Sequence, residues 1–180
     1  GLSLNAQALY VAGDNNSATT EIYVNGQDGS NPTLFVNGDL TVSNGKIDNV
    51  SGLVWIAGNT SYTSSTNGGY ISTGKLVFNG GTSQTINGDV INANRVEVDN
   101  FNGVTIQSGT LNIDSSLLLS SGVFTQGSSA SVILQSDAEF DAYLDDFTGS
   151  GSYAGQITDQ LFVAGATARQ HLISSPISGA

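Results

Sequence analysis

The chain has 180 residues, a formal net charge of -11 and no cysteine, and charged residues make up only 11 % of it. Its basic residues, Lys46, Lys75, Arg95 and Arg169, are scattered. That excludes the clustered Lys and Arg needed to neutralise nucleic-acid phosphates and leaves nothing to hold an anionic lipid surface; the missing cysteines exclude disulfides, zinc–thiolate sites and a Cys nucleophile, and no apolar run is long enough to insert into a bilayer as a helix.

The N-terminal stretch, residues 1–7, reads Gly-Leu-Ser-Leu-Asn-Ala-Gln. Leu2 and Leu4 before a small Ala6 have the form of a secretory leader's tail, with cleavage expected after Gln7; the competing reading is an ordinary first strand. Residues 8–32 hold two strand-like runs, 9–12 and 21–24, around a polar loop, and are expected to form a first coil or a cap.

From Thr33 to Gln135 the chain is built of short runs of Val, Ile, Leu, Thr and Phe, cut by Asn-Gly pairs. Asn-Gly occurs at Asn25, Asn37, Asn44, Asn67, Asn79, Asn87 and Asn102, and closes tight turns because both residues tolerate positive φ. The expected strands are 33–36, 40–42, 53–57, 75–78, 84–86, 95–98, 104–106, 110–113, 117–119, 123–125 and 131–134. Many alternate apolar with polar residues, which turns one row inward and one outward. The inward set is Leu76, Phe78, Val96, Val98, Leu111, Ile113, Val132 and Leu134.

Spacing separates two all-β architectures. The runs beginning at Lys75, Arg95, Thr110 and Ser131 recur at intervals of 20, 15 and 21 residues, and Gln84-Thr-Ile, Val104-Thr-Ile and Val123-Phe-Thr recur at 20 and 19. Interleaved series with a shared period near 20 predict an all-β, right-handed parallel β-solenoid over residues 33–135, several strands to a coil. The alternative is an antiparallel β-sandwich of hairpins, which Asn-Gly turns fit equally well; the three-to-five-residue runs favour the solenoid. Residues 136–180 leave the coil pattern. An acidic loop is followed by a Gly/Ser stretch and a strand pair, 156–157 and 160–163, forming a cap or a link to a following domain.

Residues 75–86, Lys-Leu-Val-Phe-Asn-Gly-Gly-Thr-Ser-Gln-Thr-Ile, and residues 101–119, with Gly-Val-Thr-Ile followed by Leu-Asn-Ile and Leu-Leu-Leu, form a recognisable phrase. So does His171-Leu-Ile-Ser-Ser-Pro-Ile near the end. Over residues 75–177 the chain resembles the repeat region of large secreted surface proteins of Bacteroidetes-type bacteria, with His171 standing where that group often has Trp. The resemblance implies a secreted or cell-surface, adhesin-like protein. It would be a substrate of the type 9 secretion system, with the export machinery, glycans or other surface proteins as partners. It also implies a precursor that continues past Ala180 to a sorting domain.

Chemistry-bearing residues are few. Oxygen ligands at short spacing suit Ca²⁺, so Asp137, Asp141, Asp145 and Asp146, with Glu139, are the metal candidates. The loop lacks the Asp-x-Asp-x-Asp-Gly pattern, and a solvated acidic loop is the preferred reading. Trp55, Tyr62 and Tyr70, with Tyr23, are the glycan-stacking candidates, against a role in sealing the solenoid. The sole histidine, His171, sits among Leu172 and Ile173 and is read as packing; Arg169 is a lone basic site for processing. Glu97 and Asp99 lie at i and i+2 with side chains about 7 Å apart on one face, and are read as an outward polar row in preference to a hydrolase pair. No Thr-x-Thr pair recurs at the coil period as an ice-binding face would require. The expected function is therefore a non-catalytic extracellular structural or adhesive module with no resident cofactor. The alternatives are a glycan-active enzyme or carbohydrate-binding module on a β-helix, or a filament subunit.

Overall fold

The computed structural model describes residues 3–12, 20–23, 32–43, 45–49, 52–63, 69–138, 141–145, 149–160 and 162. These residues form an all-β parallel solenoid. The N-terminal strands are β1 (Ser3–Ala6), β2 (Leu9–Ala12) and β3 (Thr20–Tyr23). Then come β4 (Thr33–Val36), β5 (Leu40–Ser43), β6 (Gly45–Asn49), β7 (Leu53–Ile56) and β8 (Thr60–Thr63). The longer strands are β9 (Gly69–Phe78), β11 (Val90–Asp99), β12 (Val104–Ser121) and β13 (Val123–Leu134), with β10 (Gln84–Gly88) between the first two. Three short strands close the described chain: β14 (Tyr143–Leu144), β15 (Ser152–Ala154) and β16 (Ile157–Asp159).

Three parallel ladders run the length of the stack. The first joins β1, β4, β7 and the later halves of β9 and β11 to the last part of β12 and to β14. The second joins β2, β5, β8 and β10 to the starts of β12 and β13 and to β15. The third joins β3, β6 and the early halves of β9 and β11 to the middle of β12, the end of β13 and β16. On the first ladder Thr33, Leu53, Lys75, Arg95 and Ser116 stack directly, at offsets of 20, 22, 20 and 21 residues. These begin five regular turns. Every strand pair among the described residues is parallel, so the antiparallel sandwich is excluded; the one antiparallel feature is an isolated bridge between Ser136 and Asp141.

In-register stacking makes the core a set of columns. Leu34, Val54, Leu76, Val96 and Leu117 form one, and Val36, Ile56, Phe78, Val98 and Leu119 form its neighbour; all are buried. Ile47, Ile91, Leu111 and Val132 line the third ladder's inner side. All eight residues expected inward from alternation are buried. Each such side chain contributes about 1.5–3 kcal/mol through removal from water.

Two details differ from the sequence reading. Strands β9, β11, β12 and β13 run 10, 10, 18 and 12 residues, because hydrogen bonding to the turns on either side continues around two of the three corners. The C-terminal strands lie at 152–154 and 157–159 rather than at 156–157 and 160–163. Their position is set by pairing with the rung beneath, Val123 with Ser152 and Val132 with Ile157, and not by local alternation. Leu161 and Val163 lie outside the described residues. Ser3–Ala6, read as a leader's tail, forms β1 on β4.

The corner between the first and second ladders is where glycine is required. A Cβ on Gly58 would collide with the Gly38 carbonyl of the preceding turn, and one on Gly122, whose φ is +72°, with the Asn100 carbonyl. Buried amides complete this corner. Gln84 donates from Nε2 to the Ile56 and Gly58 carbonyls (3.0 and 2.6 Å), while its Oε1 accepts from Gly80 N (2.9 Å) and Asn100 Nδ2 (2.8 Å). Asn100 Nδ2 also reaches the Thr82 carbonyl at 2.8 Å. A fully satisfied buried network fixes the corner; a partly satisfied one would cost stability.

Gly122→Ala is expected to lose at least about 2 kcal/mol in denaturant unfolding, from the collision and the positive φ together. Gly81→Ala, where a Cβ meets open space, should stay within about 0.5 kcal/mol of the parent. The Thr60 hydroxyl is buried without a hydrogen-bond partner, in an inward column between Leu40 and Ile86. Thr60→Val should therefore stabilise the fold by about 1 kcal/mol in the same measurement.

Candidate functional site

The outer side of the first ladder holds three of the side chains singled out from the sequence, Trp55, Glu97 and Asp99. Alternation turns Phe35, Trp55, Val77, Glu97 and Leu118 outward in one column. The Phe35 and Trp55 rings lie 5.7 Å apart at 58°. Two turns on, Lys75 forms an ion pair with Glu97, and Ser120 Oγ donates to Glu97 at 2.6 Å. Asp99 accepts from Ser121 Oγ (2.8 Å) and Asn79 Nδ2 (3.3 Å). Burial pushes the Glu97 carboxyl up, but the hydrogen bonds from Lys75 and Ser120 and the ammonium charge outweigh it and hold Glu97 below the ordinary carboxylate range. Both carboxylates of the Glu97/Asp99 pair are thus committed to bonds between turns.

The aromatic candidates do not assemble into one platform. Trp55 is half-buried on the outer side of the first ladder, whereas Tyr62 belongs to the second ladder and is 2 % exposed, its ring part of the core. Tyr70 stands in register between Ile47 and Ile91, two buried residues; its side chain and that of Tyr23 lie outside the described set. Trp55 Nε1 is shielded from solvent without a partner. The aromatic that closes the core is one the sequence reading passed over. Tyr153 stacks on Phe124 of the turn below, ring centroids 5.6 Å apart at 69°. Its hydroxyl donates to Gln126 Oε1 at 2.8 Å, and burial pushes its pKa up to about 12. Gln126 also accepts from Gln156 N (3.0 Å) and donates to the Ala130 carbonyl (2.7 Å). The signal was present only as a Tyr in a Gly/Ser-rich stretch, where nothing local distinguishes a seal from a loop.

The acidic candidates are dispersed. Asp141 is exposed and accepts from Ser136 Oγ, whose oxygen in turn accepts from Phe162 N at 2.8 Å. Asp145 places its backbone N on the Leu117 carbonyl at 2.8 Å. Asp146 and Glu139 lie outside the described residues, as do Arg169 and His171. Among the described residues no three or more Asp, Glu, His or Cys side chains converge to hold a metal ion. Asp137 instead meets Asp114, from the corner of β12, across a cleft of about 160 Å³ that Gln135, Ser136 and Gln160 also line. Burial, and then the charge of Asp137, push the Asp114 carboxyl up.

The second ladder carries a polar outer side. Thr85, Thr105 and Thr125 stack in register, one Thr to a rung. The adjoining row holds Ser61 and Asn87, so the Thr-x-Thr arrangement is not formed. Asn59 Oδ1 accepts from both Thr85 N (2.9 Å) and Thr85 Oγ1 (3.0 Å). On the third ladder Asn112 Nδ2 donates to Asn92 Oδ1 at 2.8 Å.

Comparison with known protein families, characterised proteins and solved structures returns no match. What the site can do is therefore argued from its own chemistry. Its carboxylates, amides and hydroxyls are engaged mainly with their counterparts one turn away.

Asp114 supplies a pH test. Its folded-state pKa lies above that of the unfolded chain, so the folded protein holds the proton more tightly. The group's contribution to stability is full below the unfolded pKa and is lost as pH rises through the folded one. Asp114→Asn is expected to leave the urea midpoint unchanged in acid and to raise it at neutral pH.

Proposed function

We propose that this chain is a non-catalytic structural module of a secreted or cell-surface protein, a stalk or scaffold segment whose outer faces are presented to the surroundings. The observation that carries the reading is the use made of the polar outer residues. Glu97 with Ser120, Asp99 with Ser121, Asn112 with Asn92 and Thr85 with Asn59 each join one turn to the next. Side chains that a hydrolase would need free are holding the stack together. Interfaces between neighbouring turns give solenoids their stability, and such chains serve as rigid, quasi-one-dimensional spacers.

The low-charge, Asn/Thr/Ser-rich composition and the resemblance of residues 75–177 to Bacteroidetes-type surface repeats support an extracellular setting and export by a type 9 route. A second reading, retention of a glycan, has one specific observation in its favour: the outward Phe35–Trp55 pair, since aromatic faces bind sugar rings through apolar contact.

Incubation with a panel of neutral and acidic glycans separates these readings. The structural reading expects neither turnover nor retention. Retention that Trp55→Ala abolishes would establish the second reading, and release of cleaved product would overturn the first.

A further inference from the structure

Beyond Leu134 the chain leaves the long strands, and the first side chains it brings against the turn below are a second carboxylate facing a first. We propose that Asp114 and Asp137 share one proton in acid and so latch residues 141–145 onto β12, and that the latch slackens as the second carboxyl ionises.

Asp114 stands at the corner of β12 that leads from the third ladder to the first, between Ile113 and Ser116. On the next turn Gln135 N donates to the Ile113 carbonyl at 2.8 Å, which brings Asp137 to the facing wall of the cleft. One turn further, Gln160 N donates to the Leu134 carbonyl at 3.0 Å, and Gln160 lines the same cleft. Asp137 sits at the root of the segment that follows it. Its neighbour Ser136 bridges to Asp141, and the Gln135 carbonyl accepts from Ala142 N at 2.9 Å. Ala142 is packed in the core, β14 lies on β12, and Asp145 N donates to the Leu117 carbonyl at 2.8 Å. A displacement of Asp137 is therefore passed to residues 141–145. Their hold is slight: β14 is two residues long and, among the described residues, pairs with β12 alone. Such end segments open at far lower free energy than the body of a fold.

Two like charges across a partly dehydrated gap disfavour full ionisation. Burial, and then the charge of Asp137, keep the proton on Asp114. With that proton in place the neutral carboxyl donates to the carboxylate opposite, directly or through a cleft water. As pH rises the proton passes to solvent and both groups are charged. Opening the contact separates and hydrates them, so ionisation favours the open form. The folded state binds the proton more tightly than the unfolded chain, so the latch is at full strength below the unfolded pKa and is lost as pH rises through the folded one. The other titratable groups around this corner are turned elsewhere. Arg95 and Tyr143, in register with Ser116, Asp145 beyond β14 and Asp159 at the end of β16 do not line the cleft, and Asp141 is engaged by Ser136 Oγ. When the latch slackens, the edge of β12 that β14 occupies is uncovered.

The test follows backbone amide exchange in the full chain from about pH 3.5 to about pH 7, expressed as protection over each amide's intrinsic rate. Ala142 and Asp145 report the latch; Val98, on a strand paired on both sides, reports the stack. Protection at Ala142 and Asp145 is expected to fall at least about threefold relative to Val98 as pH rises. Asp114→Asn should abolish the fall, and Asp137→Asn should reduce it without abolishing it, because the burial of Asp114 remains. Carbon-13 shifts of the two carboxyls in the parent should titrate together in two steps. No fall in the parent, a fall that persists in Asp114→Asn or is unchanged in Asp137→Asn, or two carboxyls that titrate independently would overturn the proposal.

Discussion

Direct stacking of one turn on the next is the constraint on which the rest of this molecule depends. Parallel strands pair at a spacing of about 4.8 Å, so each residue lies on its counterpart from the turn before. Apolar columns such as Val36, Ile56, Phe78, Val98 and Leu119 accommodate this stacking by burial. Polar columns accommodate it by hydrogen bonding along the stack, as Asn92 and Asn112 do. At the first corner the constraint tightens to the backbone itself, and glycine follows from the lack of room for a Cβ.

Charge is placed sparingly on this stack, although Lys75 and Arg95 stand in register on the first ladder. Lys75 pairs with Glu97 of the next turn, with Ser120 completing the carboxylate's shell. Most of the remaining outer surface is Thr, Ser and Asn, which are acceptable neighbours for themselves. Such a surface is specific in geometry and undemanding in electrostatics.

A stack of this kind has ends, and an open end exposes both apolar columns and unpaired strand edges. Toward the C-terminal side the last turn contracts to short strands, and Tyr153 lies over Phe124 with Gln126 gathering the loose polar groups around it. The ring covers apolar surface while its hydroxyl remains bonded, as a buried Tyr requires. The Asp114–Asp137 cleft lies at this end too, where the chain leaves the regular turns and two carboxylates come close without a ladder to separate them.

Alternation and period were legible in the amino-acid order, because both arise from the strand's two-residue repeat and the length of one turn. They were enough to name the solenoid and the eight inward residues, and to place Glu97 and Asp99 on one outward row. What only the tertiary structure decided was set by contacts some 20 residues apart in the chain. The strands run on through two corners since pairing with adjacent turns, not local composition, holds them. β15 and β16 sit where β13 templates them. Tyr62 is core while Trp55 is surface, because inward and outward depend on the register of each ladder and not on aromatic character. The acidic residues of 137–145 form no group of three: the chain folds back at the Ser136–Asp141 bridge, which sets Asp141 against Ser136, while Asp137 faces Asp114 across the cleft.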